Sequence, residues 1–314
     1  MPTELTRRAW LATSATAVAA SVTTSSTARA ADRPKDEPFG YCLNTSTLMG
    51  QKLPITEEAA IASKAGYHGI EPWIRELDDY TKKGGSLSDL GKKLADLNLS
   101  VESAIGFFEW AVDDEGRRKK ALDEARRNFE MVRAIGGKRL AAPPSGATGT
   151  RIVDLSKLAE RYRALIELGD EFGVVPEVEV WGPSKTLGRL GEAAMIAIDS
   201  GHPKACILPD VFHLYKGGSS FQGLRLLSGS AIGCFHFNDY PASPPRSEVN
   251  DSMRVYPGDG VAPLGEVIRA LRDIGYKGML SIELFNREYW KQDATTVART
   301  GIEKLRAVVR RSLA

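Results

Sequence analysis

Short apolar runs alternate with longer amphipathic segments along the chain. Eight runs rich in β-branched, aromatic and other apolar residues recur between residues 39 and 285, and they predict β-strands. The runs are FGYCLNTS (39–46), GIEPWI (69–74), LSVESAIGFF (99–108), RLAAPP (139–144), VVPEVEVW (174–181), ACILPDV (205–211), IGCFHFND (232–239) and GMLSIELF (278–285).

The segments between these runs have the period of amphipathic helices. Apolar residues recur at i, i+3, i+4 and i+7, as in LSKLAERYRALIELGDEF (155–172). Glycines such as Gly66, Gly136 and Gly275 follow the segments, where C-terminal helix caps are expected. The predicted helices span 55–65, 87–97, 114–135, 154–172, 186–199, 220–228, 263–274 and about 293–312.

The alternation of strands and helices decides the fold class. Strands that are separated by helices run parallel, with right-handed crossovers. Eight such units close most economically into a barrel. A doubly wound open sheet is the alternative, but no Gly-x-Gly-x-x-Gly motif follows the first strand. The pattern therefore predicts the α/β class, with a single (β/α)8 TIM barrel over residues 39–314.

The first 30 residues differ from the rest of the chain. Arg7 and Arg8 precede a mildly apolar run rich in Ala, Thr and Ser, and an Ala-Arg-Ala sequence at 28–30 fits a signal cleavage site. The order Arg-Arg-x-Trp-Leu resembles a twin-arginine export signal, and the run is too short and too polar to span a bilayer. We expect a signal peptide over 1–30, a linker over 31–38, and a periplasmic or other extracytoplasmic location.

Charge and cysteine content narrow the class of partner. Removal of residues 1–30 changes the formal charge from +2 to 0, because this segment has three arginines and one glutamate. A neutral chain argues against nucleic acid or an anionic membrane as the main partner, since both attract clustered positive charge. Cys42, Cys206 and Cys234 lie in apolar runs without C-x-x-C spacing, so we expect buried thiols. The expected partner is a small molecule, and the sequence leaves homo-oligomer formation open.

Polar residues fall late in several predicted strands, where a barrel of this type has its active site. They are Glu71, Glu179, Asp210, His236 and Glu283. A cluster of Glu179, Asp210 and Glu283 would repel itself and lose hydration, so it needs a divalent cation. Carboxylate oxygens with one imidazole suit Mn²⁺ or Mg²⁺ best, with Co²⁺ or Zn²⁺ as further choices.

Five stretches carry a resemblance to a known family. They are EVEVWG (177–182), PDVFHLYKGG (209–218), CFHFND (234–239), YPGDGVAPLGEVIRALRDIGYKG (256–278) and LSIELFN (280–286). In these stretches the chain resembles the xylose isomerase-like TIM barrels, the sugar phosphate isomerase/epimerase family. The resemblance covers nearly all of the chain that follows the predicted signal. It implies a metal site formed by Glu179, Asp210, His236 and Glu283.

The resemblance also implies roles around this metal site. Glu179 and Glu283 would act both as ligands and as the acid and base of proton transfer. His213 would contact the substrate, and so would Arg254, with Arg246 as the rival arginine. On the fifth strand a second glutamate, at position 177, competes with Glu179, which is preferred because it lies nearer the C-terminal end of the strand.

Other residues near the predicted barrel mouth allow two interpretations. Glu71 binds a substrate hydroxyl or is a salt-bridged structural acid. Aromatic residues, among them Trp181, offer an apolar face to a sugar ring or simply pack beneath loops; the others are Trp73, Phe107, Phe108 and Trp110. The irregular stretch 240–262 is long enough to act as a lid over the site.

These expectations converge on a metal-dependent ketose isomerase or epimerase that works by proton transfer through a metal-stabilised enediolate. One alternative is a lyase or dehydratase that acts on inososes or 3-keto sugars with the same metal. Another is a non-catalytic sugar-binding barrel. A metal-dependent endonuclease of the same barrel type would resemble trinuclear zinc centres with several histidines, whereas this chain has four histidines and no basic excess.

Overall fold

The computed structural model describes residues 38–152 and 154–314. The predicted signal peptide, residues 1–30, lies outside the described residues. The predicted linker also lies outside them, except for its last residue.

Parallel strands form in all eight predicted runs, and each strand is shorter than its run. The strands are β1 (Gly40–Asn44), β2 (Gly69–Glu71), β3 (Ser100–Val101), β4 (Arg139–Ala142), β5 (Val175–Glu179), β6 (Ile207–Leu208), β7 (Phe235–His236) and β8 (Met279–Ile282). Hydrogen-bonded neighbours follow the orders β3-β2-β1-β8-β7 and β4-β5-β6.

Two sets of contacts join these sheets into a closed ring. Parallel bridges from Ile207 to Ile232 and from Asp210 to His236 connect β6 with β7. On the other side, the amide of Ala141 in β4 donates to a carbonyl just beyond β3, that of Ala104, at 2.9 Å. The predicted (β/α)8 barrel is therefore confirmed.

Amphipathic segments form helices outside the strands. Within the described residues these are α1 (Ile55–Ala65), α2 (Ile74–Lys82), α3 (Leu87–Asp96), α4 (Glu115–Ala134), α5 (Leu155–Asp170), α6 (Leu190–Asp199), α7 (Val211–Gly217), α8 (Leu264–Asp273) and α9 (Ala294–Leu313).

The helices differ from the predicted ones in four places. The α2 and α7 helices were not predicted, and each begins three residues after the end of a strand, β2 and β6 respectively. The predicted helix over 220–228 is wrong, because only a 3-10 helix forms there, Phe221–Leu226, with Gly223 in its middle. The predicted helix over 186–199 begins later, at Leu190.

Apolar side chains fill the space between the strands and the helices. Leu43, Ile70, Val178 and Leu280 on four of the strands have no exposed surface. The three cysteines are buried free thiols, as expected. None of the helices in the described ranges is both long enough and apolar enough to span a membrane.

The polar residues at the ends of the strands all lie at one face of the barrel. Asn44, Glu71, Glu179 and His236 are the last residues of β1, β2, β5 and β7. Glu283 directly follows β8, and the aspartate at position 210 comes two residues after β6 and caps α7. Since parallel strands end at the same face of the barrel, these side chains meet there.

A buried acid between α1 and α2 gives a testable pH dependence. Burial and the nearby Glu76 raise the pKa of Glu58 to about 9, and its side chain is 2% exposed. The pKa of Glu58 is thus higher in the folded protein than in the unfolded chain. Its contribution to the free energy of unfolding is therefore fully present below pH 4.5 and decreases as the pH rises toward 9. The loss is at most about 1.4 kcal/mol for each pH unit.

We expect Glu58→Gln to remove most of this slope. Thermal unfolding followed between pH 5.5 and about 9 should show a smaller decline for the variant than for the parent protein, because glutamine carries no proton to lose. Glu57→Gln is the matched control, since Glu57 is exposed on the same helix. Equal slopes for the parent and Glu58→Gln would contradict the assignment of a buried, protonated Glu58.

Candidate metal centre and substrate cavity

Three side chains at the C-terminal ends of the strands form a compact cluster. Asp210, His236 and Glu283 each offer one ligand atom, and these atoms lie within 4.8 Å of one another. All three residues are buried. The arrangement brings together three of the four metal ligands predicted from the sequence.

Hydrogen bonds fix which nitrogen of His236 faces the cluster. Its Nε2 lies 3.0 Å and 3.1 Å from the two carboxylate oxygens of Glu71. Since an ionised carboxylate only accepts, the Nε2 atom carries a proton and donates it. The opposite nitrogen, Nδ1, has no hydrogen-bond partner and lies 3.2 Å from Glu283 Oε2. Burial opposes the charge of His236, but Glu283 and Glu71 raise its pKa well above the ordinary value, so both nitrogens carry protons in this structure. Loss of the Nδ1 proton would turn its lone pair into the cluster, as a metal ligand requires.

A cation already sits between the two carboxylates of the cluster. The Nη1 atom of Arg254 donates to Asp210 Oδ2 and to Glu283 Oε2, both at 2.8 Å. Burial opposes the charge of this arginine, but Asp210 and its other acidic neighbours raise its pKa above the ordinary value. The guanidinium thus supplies positive charge to the two carboxylates. The carboxylate oxygens and the imidazole nitrogen around it are ligands that a divalent cation accepts.

The two predicted catalytic glutamates differ in protonation. Burial and the nearby Glu283 raise the pKa of Glu179 well above its ordinary value. For Glu283, burial opposes ionisation, but His236 and Arg254 lower the pKa below the ordinary value. Two carboxyl groups in unlike electrostatic environments therefore share one site, a pattern typical of acid and base pairs.

Glu179 occupies a different position from the other predicted ligands. It lines the cavity described below, although it lies outside the cluster of three that falls within 4.8 Å. Its Oε1 atom is 4.0 Å from His213 Nε2. The competing Glu177 has a separate environment, because its Oε2 accepts from the amide of Cys234 at 2.6 Å and it lines none of this cavity. This placement supports the choice of Glu179.

One residue of the cluster, Glu283, lines a cavity of about 840 Å³. Glu179, His213 and Arg254 are buried and line the same cavity, and so does Trp181. Their common exposure to this space fits the predicted roles in catalysis and substrate binding.

His213 and Arg254 are neighbours in this cavity. The Nη2 atom of Arg254 lies 3.1 Å from His213 Nε2, so this nitrogen accepts and His213 is neutral. Burial, with Arg254 beside it, lowers the pKa of His213. Arg246 is exposed outside the cavity, and its placement favours Arg254 as the arginine that meets substrate.

Glu71 does not reach the cavity. It is fully buried and accepts hydrogen bonds from His236, from Asn44 at 2.9 Å and from Ser281 at 2.7 Å. This geometry corresponds to the salt-bridged structural acid rather than to a substrate contact, because both carboxylate oxygens already accept hydrogen bonds from protein donors. Glu71 instead orients the imidazole of His236.

The sequence interpretation missed three residues that support the site. Asn44 donates to Glu283 Oε1 at 3.3 Å as well as to Glu71, and Asn238 donates to Asp210 Oδ2 at 2.9 Å. Asp251 accepts from both Nε and Nη2 of the active-site arginine. The polar end of β1 was a signal for Asn44, whereas nothing local distinguishes Asp251 from other loop acids.

The long stretch 240–262, for which a lid was predicted, borders the cavity. Its Asn250, Asp251 and Ser252 line the cavity. Lys216 from α7 donates to the carbonyl oxygens of residues 246, 247 and 249, at 2.9, 2.8 and 2.7 Å. These bonds hold in place the segment that carries Arg254 into the site.

Replacement of Glu71 tests its action through His236. We expect Glu71→Gln to weaken binding of Mn²⁺ by about 10–100-fold, because a neutral amide holds the imidazole less firmly and makes it a weaker ligand. Calorimetric titration of the metal-free protein measures this affinity. Ser281→Ala removes another donor to the same carboxylate and should weaken binding less. An unchanged affinity in Glu71→Gln would show that Glu71 does not position the ligand.

A (β/α)8 barrel with a carboxylate and histidine cluster at its mouth is the class of protein that fold and site define. The family model described as "Xylose isomerase-like TIM barrel" matches residues 59–308. The chain belongs to this family, and the predicted resemblance is confirmed.

Individual relatives extend the comparison. The inosose isomerase of Bacillus velezensis is 29% identical over 276 residues, which cover 85% of this chain and 96% of the relative. The 3-dehydroshikimate dehydratase of Pseudomonas putida is 24% identical over 262 residues, 83% of this chain and 40% of the relative. The crystal structure of the IolI protein with a bound zinc atom superimposes with a TM-score of 0.80 at 23% identity, over 87% of this chain and 99% of that one.

These relatives bear on the predicted enzyme class. Isomerases are among them, and fructoselysine 3-epimerases match as well, so the prediction of an enzyme of the carbohydrate isomerase and epimerase class is confirmed. The cluster of Asp210, His236 and Glu283 supports a divalent metal ion, while the identity of the metal is a separate question.

Proposed function

We propose that this protein is a divalent-metal-dependent isomerase or epimerase that moves a proton next to the carbonyl group of an unphosphorylated keto sugar or inosose. The observation that carries the proposal is the placement of two carboxyl groups, Glu179 and Glu283, on one cavity beside the buried cluster of Asp210, His236 and Glu283. Proton transfer at carbon needs one group to take up a proton and another to return it.

The side chains of the cavity have distinct tasks in this proposal. Ionised Glu283 takes the proton from the carbon next to the carbonyl group, and protonated Glu179 supplies one to the product. Arg254 and neutral His213 bind and orient the substrate oxygens. A divalent cation, with Mn²⁺ or Mg²⁺ as our choice, would be held by Asp210 and His236 with one or both glutamates, and it would supply Lewis-acid polarisation of the substrate oxygens.

A dehydratase is the second candidate, favoured by the similarity to 3-dehydroshikimate dehydratases. It begins with the same proton removal and then expels a β-hydroxyl group as water. The raised pKa of Glu179 suits this step too, since a protonated carboxyl group can protonate the leaving oxygen. The product therefore distinguishes the two candidates, whereas the first step does not.

We also propose export through the twin-arginine route. Support comes from Arg7 and Arg8, from the short, mildly apolar run rich in Ala, Thr and Ser that follows them, and from the Ala-Arg-Ala sequence at 28–30. Fractionation of expressing cells, with N-terminal sequencing of the product, tests this. Replacement of both arginines by lysine should retain the precursor in the cytoplasm, and an unprocessed chain in both cases would refute the proposal.

The test of the catalytic proposal is solvent exchange. The Mn²⁺-loaded protein is incubated in D₂O with unphosphorylated ketoses, inososes and 3-keto glycosides, and proton NMR follows exchange next to the carbonyl group. Exchange with a rearranged sugar as product supports an isomerase or epimerase, and an unsaturated product supports a dehydratase. Absence of exchange across the panel, with metal bound, would refute proton transfer and favour a sugar-binding role.

A further inference from the structure

The cavity also has an apolar surface, beside the charged residues assigned to proton transfer. Five aromatic side chains form it, and we call them the aromatic wall: Trp73, Phe107, Trp181, Phe285 and Trp290. Ring centroids of neighbours lie 5.3 Å apart for Trp73 and Phe107, and 6.0 Å apart for Phe107 and Trp181. Phe107 is 41% exposed, which is unusual for a large apolar side chain beside a polar site.

Hydrogen bonds and ring contacts hold the wall in place. Trp73 Nε1 donates to Asn44 Oδ1 at 2.9 Å, and Trp290 Nε1 donates to the carbonyl of Ser46 at 3.0 Å. The edge of Phe285 meets the Trp73 ring at a centroid distance of 6.0 Å. Rings that are fixed before a ligand arrives lose little conformational entropy on binding, so the wall is suited to stacking.

The size of the cavity exceeds what a single sugar ring needs. Its volume of about 840 Å³ lies near the upper end of the roughly 300–1,000 Å³ range of pockets that enclose drug-sized ligands. The groups assigned to proton transfer and to orientation of the keto group are all buried, whereas Phe107 of the aromatic wall is exposed. The space beside the aromatic wall is left for another part of the substrate.

Polar groups near the wall indicate the chemistry of that part. Thr148, Lys185 and Arg287 also line the cavity. Within the described ranges, neither of these two cations forms an ion pair, so both are free to donate to a ligand. Aromatic faces beside hydrogen-bond donors suit a sugar ring, which has C–H faces and a hydroxyl rim, better than they suit a purely apolar group.

We propose that the substrate carries a second sugar ring, stacked on the aromatic wall, next to the keto ring that reacts. The substrate class is then a glycoside of a keto sugar, about the size of a disaccharide. This inference rests on the proposed function for the identity of the reacting ring. Binding of the second ring can nevertheless be measured without turnover.

Matched pairs of compounds test the proposal. D-Fructose is compared with lactulose, and methyl 3-keto-glucoside with 3-keto-cellobiose, so that each pair differs by one sugar ring. Binding to the Mn²⁺-loaded protein is followed by tryptophan fluorescence, and exchange by proton NMR in D₂O. At least one two-ring compound should bind about tenfold more tightly than its one-ring partner.

Variants of Phe107 show whether the wall causes the preference. Phe107→Leu removes the ring and keeps apolar volume, and it should reduce the two-ring preference about five- to tenfold with one-ring binding unchanged. Phe107→Tyr keeps the ring and should retain the preference. Because Phe107 is exposed, we expect both variants to fold like the parent protein, and thermal unfolding checks this.

The outcomes separate the two proposals. Preferential binding of a two-ring compound without exchange would support the second ring and refute the proton-transfer function. Exchange that is equally fast with one-ring compounds, and insensitive to Phe107→Leu, would support the function and overturn the second ring. Failure of every compound to bind would count against both.

Discussion

Replacement of Glu283 by glutamine is expected to slow hydrogen exchange next to the substrate carbonyl by about 10²–10⁴-fold. The variant loses the ionised carboxyl group whose pKa His236 and Arg254 lower. It also loses one of the oxygens in the cluster of three. The measurement is the exchange rate in D₂O at saturating Mn²⁺, with the bound metal determined on the same sample.

Two further variants make this prediction specific. Glu179→Gln should also slow exchange strongly while retaining more metal than Glu283→Gln, because Glu179 lies outside the compact cluster. Glu177→Gln is the matched control on the same strand: burial raises the pKa of Glu177 to about 7, and glutamine can still accept from the amide of Cys234. Full activity in Glu283→Gln with normal metal content would remove Glu283 from the mechanism.

The fold was largely readable from the sequence, because the two periodicities of strand and helix repeat eight times. The errors occur where segments are short. The α7 helix has seven residues and begins within a predicted strand, at Val211, so no helical period develops. The segment around Gly223 has apolar residues at helical spacing, but the glycine disfavours an α-helix and a second 3-10 helix begins after Ser228, so only a short 3-10 helix forms.

The sequence predicts which residues form the site, but it does not predict the contacts that these residues make with one another. Strand ends locate Asp210, His236 and Glu283 individually, since the barrel places all strand ends at one face. The bond between Glu71 and His236 joins residues 165 positions apart, and no local pattern predicts that Glu71 turns toward the imidazole instead of the cavity. The insertion of Arg254 between two carboxylates depends likewise on how a long loop returns to the barrel.

Arg254→Met is expected to destabilise the metal-free protein by about 3–5 kcal/mol. The guanidinium donates to Asp210, to Glu283 and to Asp251, and its removal leaves buried carboxylates without their cation. Methionine retains apolar packing between Phe212 and Phe285, whose ring centroids lie 4.7 and 5.1 Å from the guanidinium carbon. The loss therefore reports on charge more than on packing.

Addition of Mn²⁺ should restore much of this stability, because a divalent cation neutralises the same carboxylates and binds the folded state alone. Thermal unfolding in chelator and in Mn²⁺ should show a larger metal-induced increase in Tm for Arg254→Met than for the parent protein, while turnover remains low because the substrate has lost its positioning arginine. Arg246→Met, an exposed change on the same loop, should behave like the parent protein. If Arg254→Met lowers the Tm by the same amount in chelator and in Mn²⁺, Arg254 stabilises the barrel mouth by packing. The carboxylates of the cluster would then not need a metal ion to replace the guanidinium.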